Sequence, residues 1–434
     1  MNISRRWIPA IVLLTAVSIA SATSALAQAT VVNGTGNPNV DIPAVQAAVN
    51  LGENVVLRGH FSFNTPPTIS TALQTDGFPL ATILISKAVS ISGARADRDD
   101  VTTIEAGTIP FYVDAPGASV AIQKLRFVRP ANAAILVYSA TGLVIDSCRI
   151  EGFTPRLNPP FVQFSGITLY GSDTAVIPTP TQPGHPQNIY GRIVIANNDL
   201  DLTGGTATDN VLGITTFSIG LSPNNLVDMY ISGNTVKNVT EPAINMRRIG
   251  GSAHVEGNVI STGPISSQVA PRPEAIRVAN IGTYVIADNV IHSEWPDPDA
   301  IGIGVFSQFA AWPITAEVTN NEVTMSPPDG VVFGSYSAGI DVRGFAESNY
   351  VGDNILRGRA RAAVAVDVFN GGTPDDTAFV LNRFDHFEPS VADLVVGEGV
   401  TGTLVLGQKS TVNDQGINTL ILPFQGAPLR TDPE

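Results

Sequence analysis

One cysteine, Cys148, stands in 434 residues, so no disulfide within the chain can brace it and a fold of this length must rest on its core. Lysine occurs four times, at Lys87, Lys124, Lys237 and Lys409, and 24 basic residues against 38 acidic ones leave a formal charge of −14. Such a surface excludes nucleic-acid binding by bulk charge. It also repels polyanionic glycans at long range, so any recognition of them has to be local. Histidines 60, 185, 254, 292 and 386 are scattered without ligand spacing, and with four methionines and one cysteine a copper-delivery role has little support. After residue 27 no stretch is apolar for long enough to cross a bilayer.

What is present begins with a leader. Arg5 and Arg6 precede an apolar run from Trp7 to about Ala22, and Ala25-Leu26-Ala27 forms a small-x-small end before Gln28. Residues 1–27 are therefore expected to be a secretory signal peptide cleaved after Ala27, which puts the mature chain in the periplasm or outside the cell. Forty glycines and 31 prolines with 7% aromatics point to many short elements and many turns. About 400 mature residues exceed the usual single-domain size of roughly 100–200, a limit that elongated repeat folds escape.

A repeat is legible. Ile195-x-x-Asn198, Ile231-x-x-Asn234, Val255-x-x-Asn258, Ile286-x-x-Asn289, Val318-x-x-Asn321, Val351-x-x-Asn354 and Phe379-x-x-Asn382 share one frame, with gaps of 24 to 36 residues. Ile122-x-x-Leu125 and Ile145-x-x-Cys148 fit it with the asparagine replaced. A second apolar couplet follows in each unit, such as Ile244-x-Met246, Ile276-x-Val278 or Ile340-x-Val342, usually after a small residue. Alternation over four or five residues is strand periodicity, and a period of this length with two or three short strands is the signature of a solenoid. The asparagines are expected at one corner of every coil, in the left-handed conformation, with side chains linked in a ladder at about 4.8 Å spacing. Gaps of unequal length predict loops leaving from one corner. At the N-terminus, Asp41 as cap, Pro43 in the first turn, Val45, Ala48 and Val49 on one face and Gly52 at the end predict a short helix covering the first coil.

Helix, "GENVVLRGHFSF" and then "IxxNxV…GIxV" coils resemble the right-handed parallel β-helix proteins of the pectin-lyase-like superfamily, over roughly residues 38–425. The resemblance implies an all-β fold, a single right-handed parallel β-helix of about ten coils with an N-terminal capping helix; residues 426–434 are expected to be a disordered tail. For function the resemblance spans pectate and pectin lyases, polygalacturonases, alginate lyases and epimerases. It also spans non-enzymatic surface proteins and the periplasmic accessory protein of nitrous oxide reductase. The polygalacturonase motifs are missing: there is no His-Gly and no Arg-x-Lys, and the pairs Asp99-Asp100 and Asp375-Asp376 sit in polar turns. The Asp-Pro-His of alginate epimerases is absent as well.

Alternation nonetheless tells which side chains of the second couplet point outward. One outward column is Leu136, Thr168, Thr215, Asn245, Arg277, Gly304, Asp341, Ala365. Its neighbour is Tyr138, Tyr170, Phe217, Arg247, Ala279, Phe306, Arg343, Asp367. Aromatic faces suit pyranose rings and arginine forks suit carboxylates, so this face is the expected polysaccharide site. The expected catalytic residues are Arg277, Asp341, Arg247 and Tyr170. Tyr138, Phe217, Asn245, Phe306, Arg343 and Asp367 are the expected substrate contacts. In a lyase the arginines would neutralise a uronate carboxylate, with Tyr170 or Asp341 an easier base than an arginine of pKa above about 12. In a hydrolase Asp341 and Asp367, roughly 8 Å apart by strand geometry, would fall within the inverting range of about 6.5–9.5 Å. Arg343 and Asp367 also have the spacing of a plain surface ion pair worth less than about 1 kcal/mol. Gly304 is expected to leave open space above Arg277.

No metal is named by the residues. Glu294, Asp297 and Asp299 have the oxygen count of a calcium loop, although a proline-bracketed acidic turn is the preferred reading of them. Cys148 takes a ladder position and is expected to be an inert core thiol. The proline-rich stretch 154–189 is expected to be a loop excursion. Two functions remain open: a carbohydrate-active enzyme, a uronate-polysaccharide lyase before a hydrolase, or a non-catalytic envelope or surface protein that binds glycan or scaffolds.

Overall fold

The computed structural model describes residues 29–64, 81–94, 101–107, 109–154, 162–171, 189–268, 273–407 and 410–422. The signal peptide expected at 1–27, the tail expected at 426–434 and the pair Asp99-Asp100 lie outside them. The chain is a right-handed parallel β-helix. Each coil but the last contributes one strand to each of three parallel sheets among the described residues. Sheet I holds the strands that precede the asparagine and runs from Thr30–Asn33 to Leu420–Leu422. Sheet II holds the short strands after it, from His60–Ser62 to the start of Arg383–Val396. Sheet III holds the second couplet, from Ala81–Ile85 to Val412–Asp414. The strand Thr30–Asn33 precedes the helix and pairs with Asn54–Arg58, so the sheet begins earlier than the resemblance implied. A strand, Val162–Tyr170, also crosses the stretch expected to be loop.

The aliphatic residue three places before each asparagine is the anchor of sheet I. Ile195, Ile231, Val255, Ile286, Val318, Val351 and Phe379 lie in one register line, each fully buried. Each such side chain withdrawn from water contributes about 1.5–3 kcal/mol, and the line joins one continuous core.

From Ser147 to Asn382 the corner between sheets I and II turns in the same way in every coil. Asn198, Asn234, Asn258, Asn289, Asn321 and Asn354 each donate Nδ2–H to the Oδ1 of the next asparagine at 2.9–3.0 Å. The same Oδ1 also accepts the backbone N–H of the asparagine one coil before it. Cys148 heads the ladder with its N–H on Asn198 Oδ1 at 2.9 Å. The expected conformation needs correction. The left-handed residue is the one before each asparagine: Ser147, Asn197, Gly233, Gly257, Asp288, Asn320, Asp353 and Leu381, with φ of 54° to 63°. Its left-handed geometry makes the bend, and the asparagine that follows is thereby turned inward, where burial strengthens its hydrogen bonds.

The helix α1 spans Pro38–Leu51. Asn37 caps it, accepting Asn39 N–H at 3.1 Å, and Pro38 occupies the first turn, so the cap lies four residues before Asp41. Asp41 is instead buried, and its carboxylate accepts from Thr35 N, Thr35 Oγ1 and Ser62 N, tying helix to coil. Val45, Ala48 and Val49 pack on the core, and Gly52, at φ 73°, ends the helix. Among the described residues no helix is long and apolar enough to cross a membrane.

Candidate functional site on the third sheet

From Lys124 to Asn382 the corner between sheets I and II is two residues long, so insertions over these coils collect at the other two corners, not at one. Residues 262–273, 294–300 and 326–337 join sheet II to sheet III, and 220–226, 308–313 and 368–377 join sheet III to sheet I. Both loop-bearing corners flank sheet III, which makes its outer face the walled one. The two outward columns stand in the expected register. Thr215 faces Asn245, Asn245 faces Arg277, Arg277 faces Gly304 and Gly304 faces Asp341. Tyr170 faces Phe217, Phe217 faces Arg247 and Arg343 faces Asp367.

Loops cover much of this face, which corrects the expectation that both columns meet solvent. Tyr138, Asn245, Phe306, Asp341, Arg343 and Asp367 are all buried. Tyr138 packs in an outer cluster with Tyr112 and Leu136. Arg343 is 2% exposed, with its guanidinium 4.7 Å from the Phe306 ring, 5.2 Å from Phe369 and 5.7 Å from Tyr336. It bonds Asp341 and Glu274, and Glu274 also takes Arg277 Nε at 2.6 Å. Asp367 pairs with Arg361 rather than with Arg343. Each aspartate is thus held by its own arginine beneath cover, so Asp341 and Asp367 do not flank an open cleft as a hydrolytic pair must. Burial raises the Asp341 carboxyl, helped by Asp367 and opposed by Arg343. Two arginines overcome burial at Glu274 and hold it ionised, below its ordinary range. Gly304 leaves no open space: a Cβ there would lie 2.7 Å from Glu274 Cδ, so glycine is what admits that carboxylate.

Four expected residues remain half-buried and reachable: Tyr170, Phe217, Arg247 and Arg277. The rings form a row, Tyr138 on Tyr170 at 6.4 Å and Tyr170 on Phe217 at 5.3 Å, each pair within 12° of parallel. Arg247 continues the row 5.9 Å from Phe217. Arg248 stands 5.3 Å from the same ring and 4.4 Å from Trp312, bringing the 308–313 loop onto the row. Beside these lies Glu241, 3% exposed, with Oε1 free of any hydrogen bond among the described residues. Burial pushes its carboxyl up to about 7, with Arg277 and Arg247 pulling down and Glu274 and Asp297 pushing up. Thr215 Oγ1, Asn245 Oδ1 and Arg247 Nε are likewise without hydrogen bonds among the described residues. Buried polar atoms left open in one patch mark a place where water or a ligand completes them.

Sequence reasoning missed Glu241 and Glu274 because alternation fails at the corner. Ala275 and Ile276 both point inward, so the residue before them points out. The signal lay in Glu241-Pro242-Ala243-Ile244 and Pro273-Glu274-Ala275-Ile276: an acidic residue just ahead of the small-aliphatic step. The three carboxylates of the acidic loop go to separate partners. Glu294 meets His292 at 3.1 Å, Asp297 accepts Asp299 N–H at 2.8 Å and Asp299 accepts Tyr336 N–H at 3.0 Å. Among the described residues no three His, Cys, Asp or Glu side chains gather as a metal cage. Cys148 is buried, and desolvation pushes its thiol up to about 12, which leaves it unreactive.

No protein-family model matches the chain, and no curated protein matches it in sequence. Solved structures do. The crystal structure of PfbA, a surface adhesin of Streptococcus pneumoniae, aligns with a TM-score of 0.61 at 12% identity, over 84% of this chain and 93% of that one. Another structure of the Streptococcus pneumoniae surface protein and adhesin PfbA gives 0.51 at 11%, over 87% and 100%. A PL6 alginate lyase in complex with trisaccharide covers 90% and 88% at 11% identity, with a TM-score of 0.39. The likeness establishes the fold. This chain has the right-handed parallel β-helix architecture that its resemblance to the pectin-lyase-like superfamily implied.

Proposed function

We propose that the outer face of sheet III takes an acidic polysaccharide and that the chain acts on it as a uronate lyase. The observation that carries this is the meeting of an aromatic row, two reachable arginines and a buried carboxyl whose Oε1 has no hydrogen bond among the described residues, on one walled face. Tyr170 and Phe217 carry sugar rings, and Arg247 and Arg277 seat the carboxylate that bulk charge would repel. Glu241, near neutral, takes the proton next to that carboxylate. The electron pair forms a carbon–carbon double bond as the glycosidic carbon–oxygen bond breaks. The departing oxygen takes a proton from Tyr170 or from water. Asp341, covered and bonded to Arg343, supports the platform instead of acting as base. The leader at 1–27 would export the protein to the periplasm or beyond.

A second reading is favoured by the buried ion network under the C-terminal half of the face, which makes a rigid platform without open carboxylate pairs. On that reading the protein binds glycan at the cell surface without chemistry. Ultraviolet absorbance of uronate polysaccharides incubated with the mature chain, with and without calcium, separates the two. A rising trace abolished by both Arg277→Ala and Glu241→Gln is the expected result. A flat trace for every substrate, with polysaccharide still retained by the wild type and lost by Arg277→Ala, would leave the binding reading in its place.

A further inference from the structure

A second trough lies on a different face, the outer side of sheet I near the capped end. It encloses about 810 Å³ between Gly52–Asn54, Ala88–Ser90, Ser119–Ala121, Gly142–Val144, Arg192 and Val194. Its floor is one register line over five coils: Asn54, Ser90, Ala121, Val144 and Val194. At about 4.8 Å per strand the line is roughly 19 Å long. The trough exists because these outward side chains are short and because the corner beside them turns on Gly142 and Gly191, at φ 89° and 78°, where larger residues are strained. The next residue on the line, one coil beyond Val194, is Tyr230. Arg192 lies 5.2 Å over its ring, and His254 stacks behind it at 4.8 Å and 10°.

We infer that this trough binds a neutral, linear pyranose chain. The floor is apolar from Ala121 to Val194, and the backbone beneath is already paired within the parallel sheet. An extended peptide would therefore leave its own amides unpaired there. Sugar rings instead present C–H faces to Ala121, Val144, Val194 and Tyr230, while Ser90, Ser119 and Asn54 meet ring hydroxyls. The strand spacing is comparable to the length of one sugar unit, so successive coils can meet successive sugars. Charge selects against a uronate: Asp228 stands opposite Arg192 on the next coil, and Glu53 lines the far end of the trough. This site shares no residue with the sheet III face, so its failure and that of the lyase reading are distinguishable.

Affinity gel electrophoresis through soluble neutral glucan, mannan and xylan, and through polyuronate, tests the proposal. The variants are Ala121→Trp, which fills the trough at an outward position, Tyr230→Ala, and Arg277→Ala as the sheet III control; unfolding midpoints confirm that each is folded. The expected result is retardation by at least one neutral glycan, weakened about tenfold by each trough variant and unchanged by Arg277→Ala. The proposal is overturned if no neutral glycan retards the wild type. It is also overturned if Ala121→Trp leaves retardation intact, if Arg277→Ala removes it, or if the trough variants affect polyuronate alone.

Discussion

At the scale of single residues, Glu241 sets a pH dependence whose sign follows from its surroundings. Its ordinary value is 4.5, and burial pushes the folded-state value up to about 7. Below pH 4.5 it is protonated in both states. Between 4.5 and 7 only the folded chain keeps the proton, so its contribution to stability falls as pH rises and is fully lost above about 7. At about 1.36 kcal/mol per pKa unit the loss is a little over 3 kcal/mol. Asp341 is raised and works in the same sense. Glu274 is lowered, so its contribution is present above pH 4.5 and fades only in more acidic solution. Glu241→Gln should therefore flatten the decline between pH 5 and 7.5 and be more stable than wild type at the upper end. Urea midpoints at both pH values check this, and parallel profiles for the two proteins would refute it.

At the scale of elements, the asparagine ladder shows how one side chain type fixes a corner. Asn258 is fully buried, accepts from Asn234 N and Nδ2, and donates to Ile231 O and Asn289 Oδ1. Asn258→Ala strands buried groups on both sides, each at about 1–3 kcal/mol, so a loss of about 3 kcal/mol or more is expected. The same change at Asn382, where the ladder ends and the side chain is 6% exposed, orphans fewer partners and should cost less. Equal urea midpoints for the two variants would show that the ladder is not cooperative along its length. The ladder was legible in the sequence because it depends on spacing alone. The conformation of its turn was not, since a left-handed residue one place earlier serves as well as glycine, and Ser147, Asp288 or Leu381 give no local sign of that role. Asp41 misled in the same way: it has the chemistry of a cap, yet its partners are Thr35 and Ser62, the latter beyond the helix.

At the scale of the whole molecule, period-two alternation anchored on aliphatics gave the register of the second couplet correctly, down to the columns Thr215–Asn245–Arg277 and Phe217–Arg247, while leaving two or three strands per coil open. It could not give burial, because what covers Arg343 and Asp341 comes from loops at 326–337 and 368–377 whose course has no period. The site was therefore half legible: the reachable arginines and rings were named, and the carboxyl beside them was hidden at a corner. The regular register has a consequence that can be tested directly. Coils contact only their neighbours, so stability is close to a sum over adjacent pairs. Removing residues 235–258 takes out one strand from each sheet and joins Asn234 to Val259. Ile231 then faces Ile286, Ile214 faces Ile276 and Asn234 meets Asn289, pairings of the kind already present. This deletion should give a soluble protein with unchanged far-ultraviolet circular dichroism per residue and a modestly lower urea midpoint. It lacks Glu241, Arg247 and Arg248, and so should lose the sheet III activity while keeping the sheet I trough. Removing only residues 235–246 takes the same asparagine corner out of phase with sheets II and III, and should give insoluble protein. If both deletions were equally insoluble, the coils would not be the interchangeable units that the register implies.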